Sequence, residues 1–200
     1  MRLPYAPSVP PEDAPSSVTE IYERIAARRK PRPLIPLDLT LLHSPPVADG
    51  YNAFVGALRT KTIVSQSVLE MAISRVAILT EAVYEWNAHA ALALKAGLDP
   101  KVLSIVWDAP SGKVHDFADQ LSDLDVAVLA YTDEVTVKIK VLDSTFGNLK
   151  KHFDNREILE LTTVIAGYNA VSRILVAMDV GENNDKSMKT VDQLQTDLKG

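Results

Sequence analysis

The apolar residues of this chain recur every three or four positions, and in no segment do they alternate with period two for long enough to build a sheet. That pattern points to an all-α protein. Leu41, Leu42, Val47, Tyr51, Phe54, Val55 and Leu58 share one helical face, and Val68, Leu69, Ala72, Ile73, Val76 and Leu79 form another. The stretch VAVLAYTDEVTVKIKVL has strand-like β-branched content. Its Leu124, Val128, Tyr131, Val135 and Ile139 also fit a helix face, so the spacing predicts a helix over about 123–138.

Capping residues divide the chain. Ser17 and Glu20 have capping-box spacing ahead of a helix at about 18–29, which Pro31 and Pro33 stop. The basic run Arg28-Arg29-Lys30 reads as a solvated helix end. Ser44 is an N-cap with Pro45 at the first helical position. Ser65 opens the next helix, Thr80 caps the helix containing YEWNAH, and Gly97 gives that helix its left-handed stop. Asp99-Pro100 starts another, Ser122 and Asp125 form a second capping box, and Asp143 and Asp154 cap two more, the last running over about 155–178. APSGKVHD, residues 109–116, reads as an internal linker. The expected organisation is one helical domain of about eight helices over residues 17–180. A proline-rich extended arm, 1–16, precedes it, and a polar tail, 181–200, frayed or extended, follows. The arm is a candidate strap for a neighbouring subunit.

With 200 residues, 46 % of them hydrophobic and 24 % charged, the chain can bury a core without covalent staples. A net charge of −5 without a basic stripe argues against a nucleic-acid partner. Cysteine is absent, which removes disulfides, thiolate metal sites and thiol redox chemistry together. The N-terminal MRLPYAPSVPPEDAPSS lacks the apolar core of a signal peptide, and no run approaches the roughly 18 apolar residues of a membrane span. These features are read as those of a cytoplasmic protein without a membrane partner.

Within YEWNAHAALALKAGL, Glu85 and His89 stand four residues apart, one helical turn, with Glu81 a turn earlier. A carboxylate beside an imidazole stabilises the imidazolium, and an apolar wall raises a carboxyl pKa. Either effect brings a group toward neutrality, where acid–base catalysis operates. The same spacing also suits a purely local hydrogen bond. Glu-x-x-x-Glu-x-x-x-His offers metal ligands from one helix only, whereas metal centres gather ligands from several elements, so no metal is assigned. Tyr84 and Trp86 flank Glu85 as substrate-facing or core aromatics. Arg75 and Arg173 are candidate carboxylate anchors or ordinary ion pairs. Tyr168 and Asn169, inside an apolar helix, line a pocket or form a satisfied core pair.

The stretch LEMAISRVAILTEAVYEWNAHAALALKAGLDPKVLSIV resembles the signature region of the carboxymuconolactone decarboxylase and alkylhydroperoxidase D-like (AhpD-like) family. LLHSPPVADGYNAFVGALR resembles the family's preceding helix pair, and REILELTTVIAGYNAVSRILVAMDV its late long helix, so the likeness spans about residues 35–180. The resemblance implies an all-α fold and a homo-oligomer: a trimer, a hexamer or a dimer. It places His89 on the family histidine, Glu70 on the upstream proton-relay glutamate, and Ala82 and Glu85 where the peroxidase branch carries its cysteines. Without a thiol, disulfide-based peroxide reduction is closed to this chain. What the resemblance leaves is the cysteine-free, decarboxylase-like branch. That implies a cofactor-independent lyase, a decarboxylase or a related hydratase or isomerase, working by Glu/His proton transfer on a small carboxylated or enolisable substrate. Glu85, His89 and Glu70 would be catalytic, with Tyr84, Trp86, Arg75, Tyr168, Asn169 and Arg173 around the substrate. The alternative is a non-catalytic relative that binds a small molecule or serves a structural role.

Overall fold

Helix α4 (Gln66–Leu79) has no solvent face: every residue from Val68 to Ala77 is buried. A helix buried all round lies at the centre of its domain, and in the computed structural model α5 (Val83–Lys95), α6 (Pro100–Asp108), α7 (Asp123–Asp133) and α9 (Asn155–Met178) pack around it. The structure describes residues 1–199. Among them are ten α-helices and no strand. The remaining helices are α1 (Ser16–Arg29), α2 (Pro36–Leu41), α3 (Pro45–Thr60), α8 (Asp143–Leu149) and α10 (Val191–Lys199).

Several capping residues act as the sequence predicts. The Ser65 side chain accepts the Val68 N–H, Asp99 accepts that of Lys101, and Ser122–Asp125 and Asp154–Glu157 close reciprocal boxes. At the end of α5, Leu98 N–H reaches Ala93 O and Gly97 N–H reaches Leu94 O, both at 3.0 Å, with Gly97 at φ 89°. This is the Schellman arrangement that favours glycine.

Other expectations need correction. The Ser17–Glu20 box does not form, because α1 already starts at Ser16 behind Pro15. Thr80 does not cap α5: its hydroxyl bonds back to Val76 O, and α5 begins after Ala82. Asp143 lies in the first turn of α8, behind Leu142. The predicted 123–138 helix is α only as far as Asp133 and then widens into a π-turn at Glu134–Lys138. That turn ends on Ile139 at φ 64°, a conformation costly for a β-branched residue.

Residues 109–116 are not a free linker. Buried Arg75 takes Asp133 with Nε at 2.6 Å and Nη2 at 3.0 Å, and its Nη1 donates to Val106 O and Ala109 O. Asp133 also accepts Gly112 N–H. Arg75 sits in the buried α4, so its charge must be neutralised in place, and this clamp fixes the loop as it does so.

The N-terminal arm and the described part of the C-terminal segment are both built into the domain. The arm folds onto its own chain, with Arg2 N–H on Met178 O, Ala6 N–H on Leu39 O and the Tyr5 hydroxyl on Glu182. Beyond Gly181 the segment is not merely frayed: α10 buries Val191 and Leu194 and packs on α5 and α6. Contrary to the expectation that no run approaches a membrane span, helix α9 is long and apolar enough by composition to cross one. Here its inner stripe, including Ile158, Leu161, Ile165 and Tyr168, is buried against neighbouring helices.

Candidate active site

Five helices line a cavity of about 230 Å³, α2 contributing only Leu37. Helix α3 supplies Tyr51, Val55 and Arg59, spaced four residues apart; α5 supplies Glu85, Ala88, His89 and Leu92; α9 supplies Tyr168, Val171 and Leu175. The C-terminal turn of α1 closes the wall with Arg28 and Arg29. The walls are mostly apolar, with a few polar groups converging, which is the usual character of a small-molecule site.

Glu70 reaches this site from the buried α4. Its Oε2 lies 2.6 Å from His89 Nδ1, and its Oε1 lies 3.3 Å from Arg59 Nη2. Arg59 Nη1 donates to the Tyr168 hydroxyl at 2.8 Å, and the Tyr168 ring meets the His89 ring edge-on, centroids 4.7 Å apart. The groups form a continuous chain: Tyr168, Arg59, Glu70, His89.

The electrostatics follow from burial. Burial lowers the His89 pKa; the bond to Glu70 opposes that without reversing it, so the ring is neutral at physiological pH. Neutral His89 with Nδ1–H on Glu70 presents Nε2 as a bare acceptor. Burial works against the Arg59 charge, but Tyr168 and Glu70 outweigh it and its pKa is raised. Burial pushes the Tyr168 phenol up to about 12 despite Arg59. Tyr51 and Tyr84 are also pushed upward by burial.

Glu85 is the exception. It is 1 % exposed, and neither carboxyl oxygen has a hydrogen-bond partner among the described residues. Burial alone raises its pKa well above the ordinary glutamate value, which favours the protonated form. A carboxylic acid kept neutral in an apolar pocket is a proton donor in waiting.

The structure therefore brings together Glu70, Tyr84, Glu85, His89 and Tyr168, all singled out from sequence. The pairing differs from the expected one: His89 bonds Glu70, not Glu85. Glu81 leaves the ladder altogether, lying in the turn before α5 at φ 54° and exposed. Four candidates are placed elsewhere. Arg75 is consumed by Asp133. Trp86 points away from the cavity, its indole N–H on Lys189 O at 2.8 Å and its ring 5.0 Å from Trp107. Asn169 donates to Thr136 and Ile165, and exposed Arg173 bonds back to Asn169. Neither residue lines the cavity.

Arg59, Tyr51 and Arg28 were not anticipated. Tyr51-x-x-x-Val55-x-x-x-Arg59 carries a signal in hindsight, since it places a charge on an otherwise apolar stripe. The run Arg28-Arg29-Lys30 is not simply a solvated end: Arg29 takes the fully buried Asp38 with Nε at 2.7 Å and Nη2 at 2.8 Å.

Comparison with solved structures gives the architecture its name. A protein from Ralstonia eutropha JMP134, described as an alkylhydroperoxidase AhpD core and uncharacterized peroxidase-related protein, matches 96 % of this chain and 93 % of its own, at 19 % identity and a TM-score of 0.68. This chain has the AhpD-like fold. An uncharacterized peroxidase-related protein from Silicibacter sp. TM1040 shares the AhpD-like architecture over 91 % of this chain and 95 % of its own, at 16 % identity and a TM-score of 0.67. So does the debrominase Bmp8, solved as a cysteine-to-alanine variant with 2,3,4-tribromopyrrole, over 95 % and 94 % of the two chains at 14 % identity and a TM-score of 0.64. No family model and no curated protein sequence matches the chain.

Proposed function

We propose that this AhpD-like chain is a cofactor-independent, decarboxylase-like lyase of the cytoplasm, acting on a small carboxylated or enolisable molecule by acid–base proton transfer. The observation that carries the reading is Glu85: a buried, neutral, unpartnered carboxylic acid in the same cavity as the His89–Glu70 pair. An unpaired buried acid costs stability, and a reaction that needs its proton accounts for its position. The debrominase of the same fold lends support to a catalytic role.

In the proposed reaction the C–CO₂ bond of the substrate breaks and CO₂ leaves. The electron pair left behind is delocalised into an adjacent carbonyl or alkene. Glu85 then gives its proton to the carbon skeleton, forming a C–H bond, and is left as a carboxylate. His89, one turn away and facing the same space, returns a proton from solvent to Glu85. Glu70 fixes the His89 tautomer, and Arg59 holds Glu70. Thiol chemistry has no part in this scheme, since the chain contains no cysteine.

A screen of small carboxylic acids, read by CO₂ release, tests the proposal. Glu85→Gln and His89→Ala should each abolish turnover of the acid that responds while the helical fold persists. Full activity in both variants would sink it. We also propose a homo-oligomer. The exposed apolar residues Val137, Ile139, Leu142 and Phe146, close together in sequence, support association, and sedimentation of the protein as a monomer at all concentrations would count against it.

A further inference from the structure

Three aspartates of this protein are gripped in the same way. Arg24 takes Asp49, Arg29 takes Asp38 and Arg75 takes Asp133, each through the two-donor edge formed by Nε and Nη2. That edge matches the spacing of two carboxylate oxygens. Arg28 has the same edge, yet its Nε and Nη2 are both buried without a hydrogen-bond partner among the described residues. Arg28 lines the cavity that holds Glu85 and His89. Of the other cavity arginines, Arg29 is occupied by Asp38 and Arg59 by Glu70 and Tyr168, so neither competes for an incoming anion, while Arg32 lies exposed at the rim.

Two buried guanidinium nitrogens without an acceptor are costly, and no protein carboxylate fills the position. We infer that Arg28 is a specificity residue, and that its Nε/Nη2 edge seats a carboxylate of the ligand which the reaction does not consume. This inference rests on the catalytic reading of the same cavity and adds the ligand's second end. The anchoring group sits at the α1 wall, and the reacting carbon lies toward α5, between Glu85 and His89. The cavity, about 230 Å³, lies below the usual 300–1,000 Å³ of drug-sized sites, so the ligand is a compact acid. Among the other wall residues, Tyr51, Val55, Val171 and Leu175 suit an apolar or unsaturated body between the two ends.

Binding tests this independently of turnover. The probes are benzoate and cyclohexanecarboxylate with their methyl esters, measured by calorimetry and thermal shift on the full chain. The acids should bind and raise Tm, and the esters should not. Arg28→Gln should weaken acid binding by about 10- to 100-fold, the range expected for lost charge-assisted hydrogen bonds. Arg24→Gln, on the same helix but outside the cavity, should bind as the unaltered protein does. Glu85→Gln should also bind, because it removes the proton donor and not the anchor. If Arg28→Gln folds and binds the acids undiminished, if the esters bind as well as the acids, if Arg24→Gln is equally impaired, or if no acid binds the unaltered protein, the inference is overturned. Lost acid binding in Arg28→Gln together with full turnover in Glu85→Gln would leave the anchor standing and remove the acid–base mechanism instead.

Discussion

His89 Nδ1 and Glu70 Oε2 stand 2.6 Å apart across the α4–α5 packing, and His89 Nε2 has no protein partner among the described residues. One nitrogen is committed, so the other is free to handle a proton in the cavity. His89→Ala should lower turnover by about 10²- to 10⁴-fold, the usual contribution of a positioned acid–base group. The pH profile adds a sharper check. Burial puts the His89 pKa below the ordinary histidine value and Glu70 partly raises it again. The acidic limb of the rate should therefore fall below the usual histidine range, and Glu70→Gln should move it lower still. An acidic limb that Glu70→Gln leaves in place would show that the pair does not control the rate.

Glu85 should leave a signature in stability as well as in rate. Its folded pKa is raised by burial, so between the ordinary glutamate range and that raised value the folded protein holds a proton that the unfolded chain has lost. Folding stability therefore falls as pH rises through this window. Glu85→Gln removes the titration. Relative to the unaltered protein, this variant should gain stability progressively from about pH 5 upward, as measured by urea unfolding at a series of pH values. Parallel pH curves for the two proteins would contradict a neutral, buried Glu85.

Helical class, the capped starts of α4, α6, α7 and α9, and the placing of Glu85 and His89 on one helix face were legible in the sequence, because capping and 3.6-residue periodicity are local. The partner of His89 was not derivable from local spacing. A one-turn separation names Glu85, but side-chain direction on α5 and the crossing of α4 bring Glu70 instead, from nineteen residues away. Only the family resemblance pointed to it. Arg75 misled for the opposite reason: a charge in an apolar helix looks functional until its acceptors, Asp133 and two distant carbonyls, are seen. Glu81 looked helical because its sequence neighbours are. A left-handed turn there depends on how α4 and α5 meet, which no local pattern encodes.

The Arg75–Asp133 pair is fully buried, so removing one partner strands a charge. Arg75→Met or Asp133→Asn alone should destabilise the fold by roughly 3–5 kcal/mol. The loop at 109–116 should become sensitive to proteases, since Ala109 O and Gly112 N–H lose their clamp. Replacing both residues with apolar ones should recover part of the loss, which a double-mutant cycle would measure. Single variants as stable as the unaltered protein would mean that the loop holds itself.

Trp86 reports on the other side of α5. Its ring is fully buried against Trp107, and its N–H meets Lys189 O just before α10, whose Leu194 is 2 % exposed. Leu194→Ala leaves a cavity beneath α10 and should cost about 2–5 kcal/mol if α10 unfolds with the domain. A much smaller loss, with fast amide exchange confined to α10, would mark that helix as a separately opening unit. In either case the indole gains access to water, so tryptophan emission should shift to longer wavelength. The cavity-facing stripe of α5 is made by Glu85, Ala88, His89 and Leu92, not by Trp86. Acid binding measured by calorimetry should therefore survive in Leu194→Ala wherever the domain stays folded, and a parallel loss of binding would show that α10 braces the site through α5.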